Sequence, residues 1–267
     1  MDLNQTAGEA FAALRAQTPL VHNITNFVVM NFVANALLAA GAAPVMAHAH
    51  QEVEEMTAIS GALALNIGTL TDYWVESMLM AGKRANAFKI PVILDPVGAG
   101  ATRMRTEATH TIMRAVKCAV LRGNASEIMA VYGAGSGAKG VDSVNTVDEA
   151  ANVAFDLARQ MATVVVITGA QDIVTDGRKV IRIVNGDPLM GRITGMGCAV
   201  TAMIAAFLAV ERDAMRASAY GLALMGVAGE MAKPDSNGPG TFMAAFLDVL
   251  YNLTPEAFAT QARIKEL

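Results

Sequence analysis

Two glycines and a cysteine stand together in one short segment, at a spacing that suits chemistry on an anionic group. The segment GRITGMGCAV spans residues 191–200, and the uncharged apolar residues 198–210 are predicted to form a helix. Gly195 and Gly197 let the backbone approach a ligand closely, and the free N–H groups of the helix N-terminus favour an anion. Cys198 would lie in the first turn of that helix, where a thiolate is stabilised. The segment therefore predicts either a phosphoryl-transfer site or a tight turn beside a buried cysteine.

The composition limits the classes of protein to which the chain can belong. The length of 267 residues lies within the range of single α/β domains. Charged residues make up only 16% of the chain, below the usual quarter, so we expect some of its surface to be buried between subunits. The net charge is −4 and the sequence has no basic stripe, which argues against nucleic acid as a partner.

The longest uncharged stretch is not expected to span a membrane. Residues 16–51 carry no Asp, Glu, Lys or Arg, but Gly41 and Pro44 end the helical pattern near residue 40. A helix of about 15 residues is too short to cross a bilayer. The N-terminus lacks the basic region of a signal peptide, and two cysteines do not make a disulfide framework. We expect a soluble, cytoplasmic protein.

Short apolar runs alternate with helical patterns along the chain, which predicts a mostly parallel sheet covered by helices on both faces. The predicted strands are residues 20–24, 44–47, 62–67, 92–95, 119–121, 164–168, 172–175 and 180–184. The predicted helices are residues 26–40, 51–60, 71–87, 104–117, 124–132, 147–161, 198–210, 213–231 and 240–252. Asp176 and Gly177 form a hairpin signal, so antiparallel strands are expected at one edge. Residues 1–267 are predicted to form one doubly wound domain.

Polar and glycine residues follow five of the predicted strands. In a doubly wound sheet, ligands bind beyond the carboxyl ends of the strands, so these residues are expected to meet at one rim. They are Asn23, Thr25, Asn26, Gly68, Thr69, residues 95–100, residues 122–124, Thr168 and Gly169.

Several of these residues could handle a nucleotide and its metal ion, although each also has a structural interpretation. Asp95 could hold a metal ion or its waters, or it could cap a loop. Asn124 and Glu127 have the spacing of a capping box, whereas a functional role would place Glu127 near Mg²⁺ through water. The Arg122 guanidinium could pair with a phosphate. The Thr168 hydroxyl could bind a nucleotide phosphate or cap its own loop.

Four motifs occur in order along the chain: PLVHNITN (19–26), LDPVGAG (94–100), LRGN followed by Glu127 (121–127) and TGMGC (194–198). In this combination the chain resembles the hydroxyethylthiazole kinases of thiamin biosynthesis and salvage, which belong to the ribokinase-like superfamily. The resemblance covers nearly the whole chain. Met196 is a small departure, because threonine is commoner in that family between the two glycines.

The resemblance implies an ATP-dependent and Mg²⁺-dependent phosphorylation of the primary alcohol of hydroxyethylthiazole. It also implies a fold without a lid domain and a homotrimer with its sites between subunits. By the same resemblance, Met46, Asn23, Gly68, Thr69 and Gly195 would contact the thiazole, Arg122 and Thr168 would contact ATP, Glu127 and Asp95 would organise Mg²⁺, and Gly195, Gly197 and Cys198 would form the catalytic anion hole.

Three other functions fit parts of the sequence less well. A ribokinase-like hydratase that repairs nicotinamide cofactors would share the fold, but the sequence NITN after the first strand favours the kinase. A non-enzymatic nucleotide-binding regulator would not need an ionisable residue at position 198. A dinucleotide-dependent oxidoreductase is disfavoured because no G-x-G-x-x-G follows the first strand.

Overall fold

A computed structural model describes residues 2–136 and 147–267, and every strand in these two ranges belongs to one nine-stranded sheet. The strands are β1 (Leu20–Ile24), β2 (Ala43–Val45), β3 (Ala62–Asn66), β4 (Val92–Asp95), β5 (Val120–Asn124), β6 (Val164–Thr168), β7 (Asp172–Thr175), β8 (Val180–Ile183) and β9 (Ile264–Glu266). The helices are α1 (Leu3–Gln17), α2 (Met30–Ala40), α3 (Val53–Ala58), α4 (Asp72–Ala87), α5 (Arg103–Ala115), α6 (Ala125–Ser136), α7 (Val147–Met161), α8 (Met196–Leu208), α9 (Ala214–Ala232), α10 (Pro239–Asn252) and α11 (Pro255–Gln261), and a 3₁₀ helix covers Pro188–Arg192.

The strand order is β2-β1-β3-β4-β5-β6-β7-β8-β9. The first six strands in this order are parallel, and β7, β8 and β9 add an antiparallel edge. The hairpin between β7 and β8 turns at Gly177, whose φ of 79° lies in the left-handed region that glycine tolerates. This confirms the predicted mostly parallel sheet with antiparallel edge strands, and the described ranges contain no separate lid sheet.

Helices cover both faces of the sheet, and neighbouring residues of a strand face different layers. On β3, Ala62 and Ala64 pack into the layer formed by α1, α2 and α8–α11, whereas Leu63 and Leu65 pack into the layer formed by α3–α7. Both faces of the central strands are therefore apolar, which explains why these strands are continuous hydrophobic runs rather than alternating ones. Within the described ranges, no helix is both long and apolar enough to cross a membrane.

Helix α8 is buried along almost its whole length, which accounts for its lack of charged residues. It packs on β1, β3 and β4 and against α9. The two helices approach closely at Gly221, where a Cβ atom would lie 2.8–2.9 Å from atoms of Ile204. This packing fixes the N-terminus of α8 at the carboxyl ends of the central strands.

Several boundaries differ from the prediction. Helix α8 begins at Met196 rather than at residue 198, because the chain turns at Gly195 alone (φ 88°), so Gly197 lies inside the helix without a positive φ. Strand β5 continues through Arg122 to Asn124 instead of ending at residue 121. Helix α2 begins at Met30 rather than at residue 26, because the Asn26 side chain is held in the buried rim. The sequence prediction also missed α1, α11 and β9.

Candidate active site

Buried polar side chains form a chain of hydrogen bonds across the carboxyl ends of β1, β3 and β4. Asn26 Nδ2 donates to Asn66 Oδ1 at 2.9 Å, and Asn66 Nδ2 donates to Asp95 Oδ2 at 2.9 Å. The hydroxyl of Thr201, on α8, donates to the same carboxylate oxygen at 2.8 Å. Strand register explains the central contact, because Asn66 and Asp95 are directly paired at the ends of β3 and β4.

Arg122 continues this chain on β5. Its Nη1 lies 3.4 Å from Asp95 Oδ2, and its Nη2 donates to the Thr168 hydroxyl at 2.7 Å. The guanidinium lies close beneath the first turn of α8, since a Cβ atom on Gly197 would be 3.1 Å from Nη1 and from Nη2. Glycine at position 197 thus leaves room for the Arg122 guanidinium, and it does not have a positive φ.

Asp95 is the most unusual group in this network. Its side chain is fully buried, and burial raises the pKa of Asp95 to about 6 even though Arg122 and the Thr201 hydrogen bond oppose that shift. Within the described part of the chain, Oδ1 is buried and has no hydrogen-bond partner. A buried carboxylate oxygen without a partner is unfavourable, so this atom is suited to receive a cation or a hydrogen-bond donor.

Cys198 is the third residue of α8, and its sulfur accepts a hydrogen bond from Asn26 Nδ2 at 3.4 Å. Burial raises the pKa of the Cys198 thiol above its ordinary value, and the charge of Asp95 raises it further, so the side chain is a neutral thiol at neutral pH. A helix N-terminus would favour a thiolate, but here burial and the nearby carboxylate outweigh the dipole and the amide donors.

Glu127 is held at both of its oxygens. Oε2 accepts from the backbone N–H of Asn124 at 2.8 Å, and Asn124 Oδ1 accepts from the backbone N–H of Glu127 at 2.9 Å. These two reciprocal bonds confirm the capping box. Oε1 accepts from the Gly98 amide at 2.8 Å. The carboxylate thus connects the start of α6 to the loop after β4 and retains lone pairs for a water or a metal ion.

A cavity of about 740 Å³ lies in front of this network. Segment 185–195, which leads from β8 to α8, forms one of its walls. Among the described residues that line the cavity, Asp95, Glu127, Asp172 and Asp187 are acidic, and Arg122 is the single basic residue. An anionic ligand of high charge would therefore need to bring cations with it. No three His, Cys, Asp or Glu side chains of residues 2–136 and 147–267 are grouped so as to hold a metal ion unaided.

Comparison with known proteins identifies the family. The model of the hydroxyethylthiazole kinase family matches residues 11–256. A hydroxyethylthiazole kinase from Desulfotalea psychrophila is 53% identical over 265 residues, which cover 99% of this chain and 97% of that protein. The chain belongs to the hydroxyethylthiazole kinase family. The structure of a hydroxyethylthiazole kinase protein from Pyrococcus horikoshii OT3 agrees, with a TM-score of 0.91 and 43% identity over 98% of this chain and 99% of that chain.

The ribokinase-like fold is supported by a more distant structure. A ribokinase-like superfamily protein from Enterococcus faecalis V583 matches with a TM-score of 0.64 and 11% identity, over 88% of each chain. At this level of identity the likeness concerns the fold alone. It agrees with the fold class that the alternating strands and helices predicted.

The structure brings together only some of the residues that the sequence predicted for a hydroxyethylthiazole kinase site. Those that line the one cavity are Asp95, Arg122, Glu127, Thr168, Gly195, Gly197 and Cys198. Met46, Asn23, Gly68 and Thr69 do not line it. Asn23 is buried and donates to the Val21 carbonyl. Met46 is half-buried against the core, and the Thr69 hydroxyl accepts from the Phe27 amide. Gly68 lies against Asn26, since a Cβ atom there would be 2.6 Å from Asn26 Nδ2.

Sequence reasoning missed three residues around this candidate site that the structure makes prominent. Asn66 ends the otherwise apolar strand ALALN, and that position at a strand end is the signal that could have found it. Thr201 is an isolated hydroxyl within the apolar helix α8, and no sequence signal marks it. Arg105 lies in the first turn of α5 and was hidden among other charged residues of that helix.

Proposed function

We propose that this cavity is where the chain transfers the terminal phosphoryl group of ATP to the alcohol of hydroxyethylthiazole. The family establishes the reaction itself: the chain is a kinase that phosphorylates the thiazole alcohol for thiamin synthesis, with ATP as co-substrate. The observation that supports this placement is that Arg122, Cys198 and the N-terminus of α8 line one cavity together with the carboxylates of Asp95 and Glu127.

Arg122 and Thr168 bind the phosphates of ATP in this proposal. The guanidinium is already oriented by Asp95 and by the Thr168 hydroxyl, so little side-chain freedom is lost when a phosphate binds. The amides of Gly197 and Cys198 lie in the first turn of α8 and have no acceptor within that helix. They are donors for the transferring phosphoryl group, whose negative charge the helix dipole also favours.

Asp95 and Glu127 are suited to hold Mg²⁺. The unpartnered Oδ1 of Asp95 and the excess of carboxylates in the cavity both favour a cation there. Mg²⁺ takes one or two protein carboxylates together with waters and phosphate oxygens, which agrees with two carboxylates rather than a complete protein cage. Mg²⁺ supplies neutralisation of the phosphate charge, and Arg122 and the α8 N-terminus add to that neutralisation from the protein side.

Cys198 orients the alcohol rather than ionising it. Its thiol is neutral and fixed by Asn26, so the sulfur presents a defined hydrogen-bond partner to the attacking hydroxyl. A largely dissociative phosphoryl transfer removes the alcohol proton late and demands little of a base. Positioning and charge neutralisation therefore provide most of the catalysis.

The thiazole ring lies toward Asn26, where Gly68 and Thr69 follow β3 and where Met46 and Asn23 lie at the ends of β2 and β1. These residues are outside the cavity of the single chain, which supports a thiazole site completed by another subunit of a homotrimer. Light scattering tests this arrangement. We expect about three times the chain mass of 27.9 kDa for the active enzyme, and a fully active monomer would contradict it.

Product analysis tests the proposed function. Purified protein is incubated with MgATP and one alcohol at a time, chosen from hydroxyethylthiazole, pyridoxal, ribose and hydroxymethylpyrimidine. Both ADP and the phosphate ester are measured in each reaction. We expect a phosphate ester of hydroxyethylthiazole, formed only with Mg²⁺ and lost on adding a chelator. Turnover of another alcohol without turnover of the thiazole would overturn the substrate assignment. Turnover unaffected by chelation would overturn the requirement for Mg²⁺.

A further inference from the structure

Arg105 lies behind the rim and binds no carboxylate. Its Nη1 donates to the carbonyls of Ile67 at 3.0 Å and Val97 at 2.7 Å, and its Nη2 donates to the carbonyl of Gly68 at 2.7 Å. No ion pair among the described residues includes it. The neighbouring Arg103 is different, because it is exposed and pairs with Glu107 on the surface of the same helix. The half-buried Arg105 guanidinium is therefore used entirely to join backbone segments.

The segments that it joins are residues 67–69 after β3 and residues 96–100 after β4. The first belongs to the Cys198 side of the site. The Gly68 amide donates to Asn66 Oδ1 at 3.0 Å, and that same oxygen accepts from Asn26, whose amide also contacts the Cys198 sulfur. The second segment belongs to the nucleotide side, because the Gly98 amide donates to Glu127 Oε1. Arg105 thus connects the contacts of Cys198 to those of Glu127 through backbone carbonyls, beside the side-chain path through Asn66 and Asp95.

Both segments pack closely against the groups that they contact. A Cβ atom on Gly98 would lie 3.1 Å from Arg105 Cδ, and its φ of 74° adds strain for any other residue. A Cβ atom on Gly68 would lie 2.6 Å from Asn26 Nδ2. A shift of either segment toward these neighbours would therefore press on the Arg105 guanidinium or on Asn26.

We propose that Arg105 is a positioning residue that couples the binding of the thiazole alcohol to the binding of ATP. Alcohol bound beside Cys198 and Asn26 restricts the motion of residues 67–69. Through its hydrogen bonds to both segments, Arg105 then restricts the motion of residues 96–100 and of Glu127. The coupling is reciprocal, so ATP also tightens the binding of the alcohol. Lysine cannot replace Arg105, because an ammonium lacks the planar fork that reaches three carbonyls at once. This inference rests on the proposed function of the cavity.

The test measures coupling rather than turnover. The dissociation constant of a non-hydrolysable ATP analogue with Mg²⁺ is determined by calorimetry with and without saturating hydroxyethylthiazole. The proteins are the unmodified chain, Arg105→Lys, Arg105→Gln and the matched control Arg103→Gln. We expect the alcohol to tighten analogue binding about tenfold in the unmodified chain and in the control, within the range of ordinary coupling between sites. In the Arg105 variants we expect the ratio to fall to about twofold or less.

The outcomes separate this inference from the proposed function. Failure of the unmodified chain to bind or phosphorylate the alcohol would overturn the function, and the coupling with it. Binding of both ligands without coupling, or full coupling in either folded Arg105 variant, would overturn the role of Arg105 alone. A merely structural role lowers the unfolding midpoint but leaves the ratio of dissociation constants unchanged. The lysine variant retains the charge, so it provides the measurement if the glutamine variant does not fold.

Discussion

The polar network at the strand ends and the apolar layer of α8 and α9 are both buried, but burial acts on them in opposite ways. In the apolar layer, Phe207 and Tyr220 are fully buried and meet edge to face, so removal from water stabilises the fold. In the network, the same removal from water disfavours the charge of Asp95 and leaves one of its oxygens without a partner. Stability and chemistry thus come from neighbouring regions that meet along α8, with Thr201 and Cys198 on one side and Phe207 on the other.

The largest expected effect is on stability, in the apolar layer. Phe207→Ala should lower the free energy of unfolding by about 3–5 kcal/mol, because it removes a fully buried ring and leaves a cavity. Urea unfolding measures the loss, with the exposed Ile59→Ala as a control that should change it by about 0.5 kcal/mol or less. The Michaelis constant for ATP should stay unchanged in the folded variant. Equal losses in the two variants would contradict this division between regions.

The next effect is on activity, at the boundary between the two regions. Gly197→Val should lower kcat by about 10²–10³-fold, or about 3–4 kcal/mol, because its Cβ would displace the guanidinium of Arg122 and block the first turn of α8. ADP release in a coupled assay measures it. Gly240→Ala is the control, since a Cβ there meets nothing within 4 Å. Normal turnover of Gly197→Val would place the phosphate elsewhere.

A gain of stability is expected within the network. Asp95→Asn should raise the free energy of unfolding of the metal-free protein at pH 7 by about 2–3 kcal/mol, while activity falls. The raised pKa of Asp95, about 6 against 3.8 as its ordinary value, means that the folded state binds the proton more tightly than the unfolded state does. The unmodified protein therefore loses this stability as the pH rises from about 4 to about 6.

Urea unfolding between pH 4 and pH 7, in the presence of a chelator, tests this expectation. The difference between Asp95→Asn and the unmodified protein should be small near pH 4, grow to about pH 6 and remain constant above it. A variant that is less stable than the unmodified protein at pH 7 would show that the buried carboxylate stabilises the fold.

The smallest of these effects concerns Arg122. Arg122→Ala should lower kcat/KM for ATP by about ten- to a hundredfold, because a charge-assisted hydrogen bond contributes about 1.5–3 kcal/mol. Binding of the thiazole alcohol should change much less. Initial rates at varied ATP and varied alcohol measure both, with the exposed Arg178→Ala as a control. Unchanged kinetic constants for ATP would show that Arg122 does not bind the nucleotide.

The fold was predictable where local pattern decides it. Strands β4 and β6 were predicted with their observed bounds, because buried parallel strands are apolar runs that end in a polar residue. Helix α1 was missed although Ala7, Phe11 and Leu14 are spaced for one buried helical face. Strand β9 has only three residues, and its existence depends on pairing with β8, which no local pattern contains.

The candidate site was predictable in some of its residues but not in their partners. Arg122, Glu127 and Cys198 were expected at one rim, and the structure places them around one cavity. The partnership of Asp95 with Thr201 joins residues 106 positions apart, so only the packing of α8 on the sheet creates it. The protonation of Cys198 was not predictable for a related reason, because burial and the charge of Asp95 raise the pKa of its thiol and the sequence shows neither.

The two outermost strands make the sheet a poor template for aggregation. Strand β2 has three residues, and the Ala43 amide donates inward to the Pro19 carbonyl. The next backbone nitrogen, which would face outward, belongs to Pro44 and carries no hydrogen. At the opposite edge, β9 presents Lys265 and Glu266, both exposed. A strand from another copy would find a missing donor at one edge and charges at the other, so β-pairing between folded copies is disfavoured even in concentrated protein.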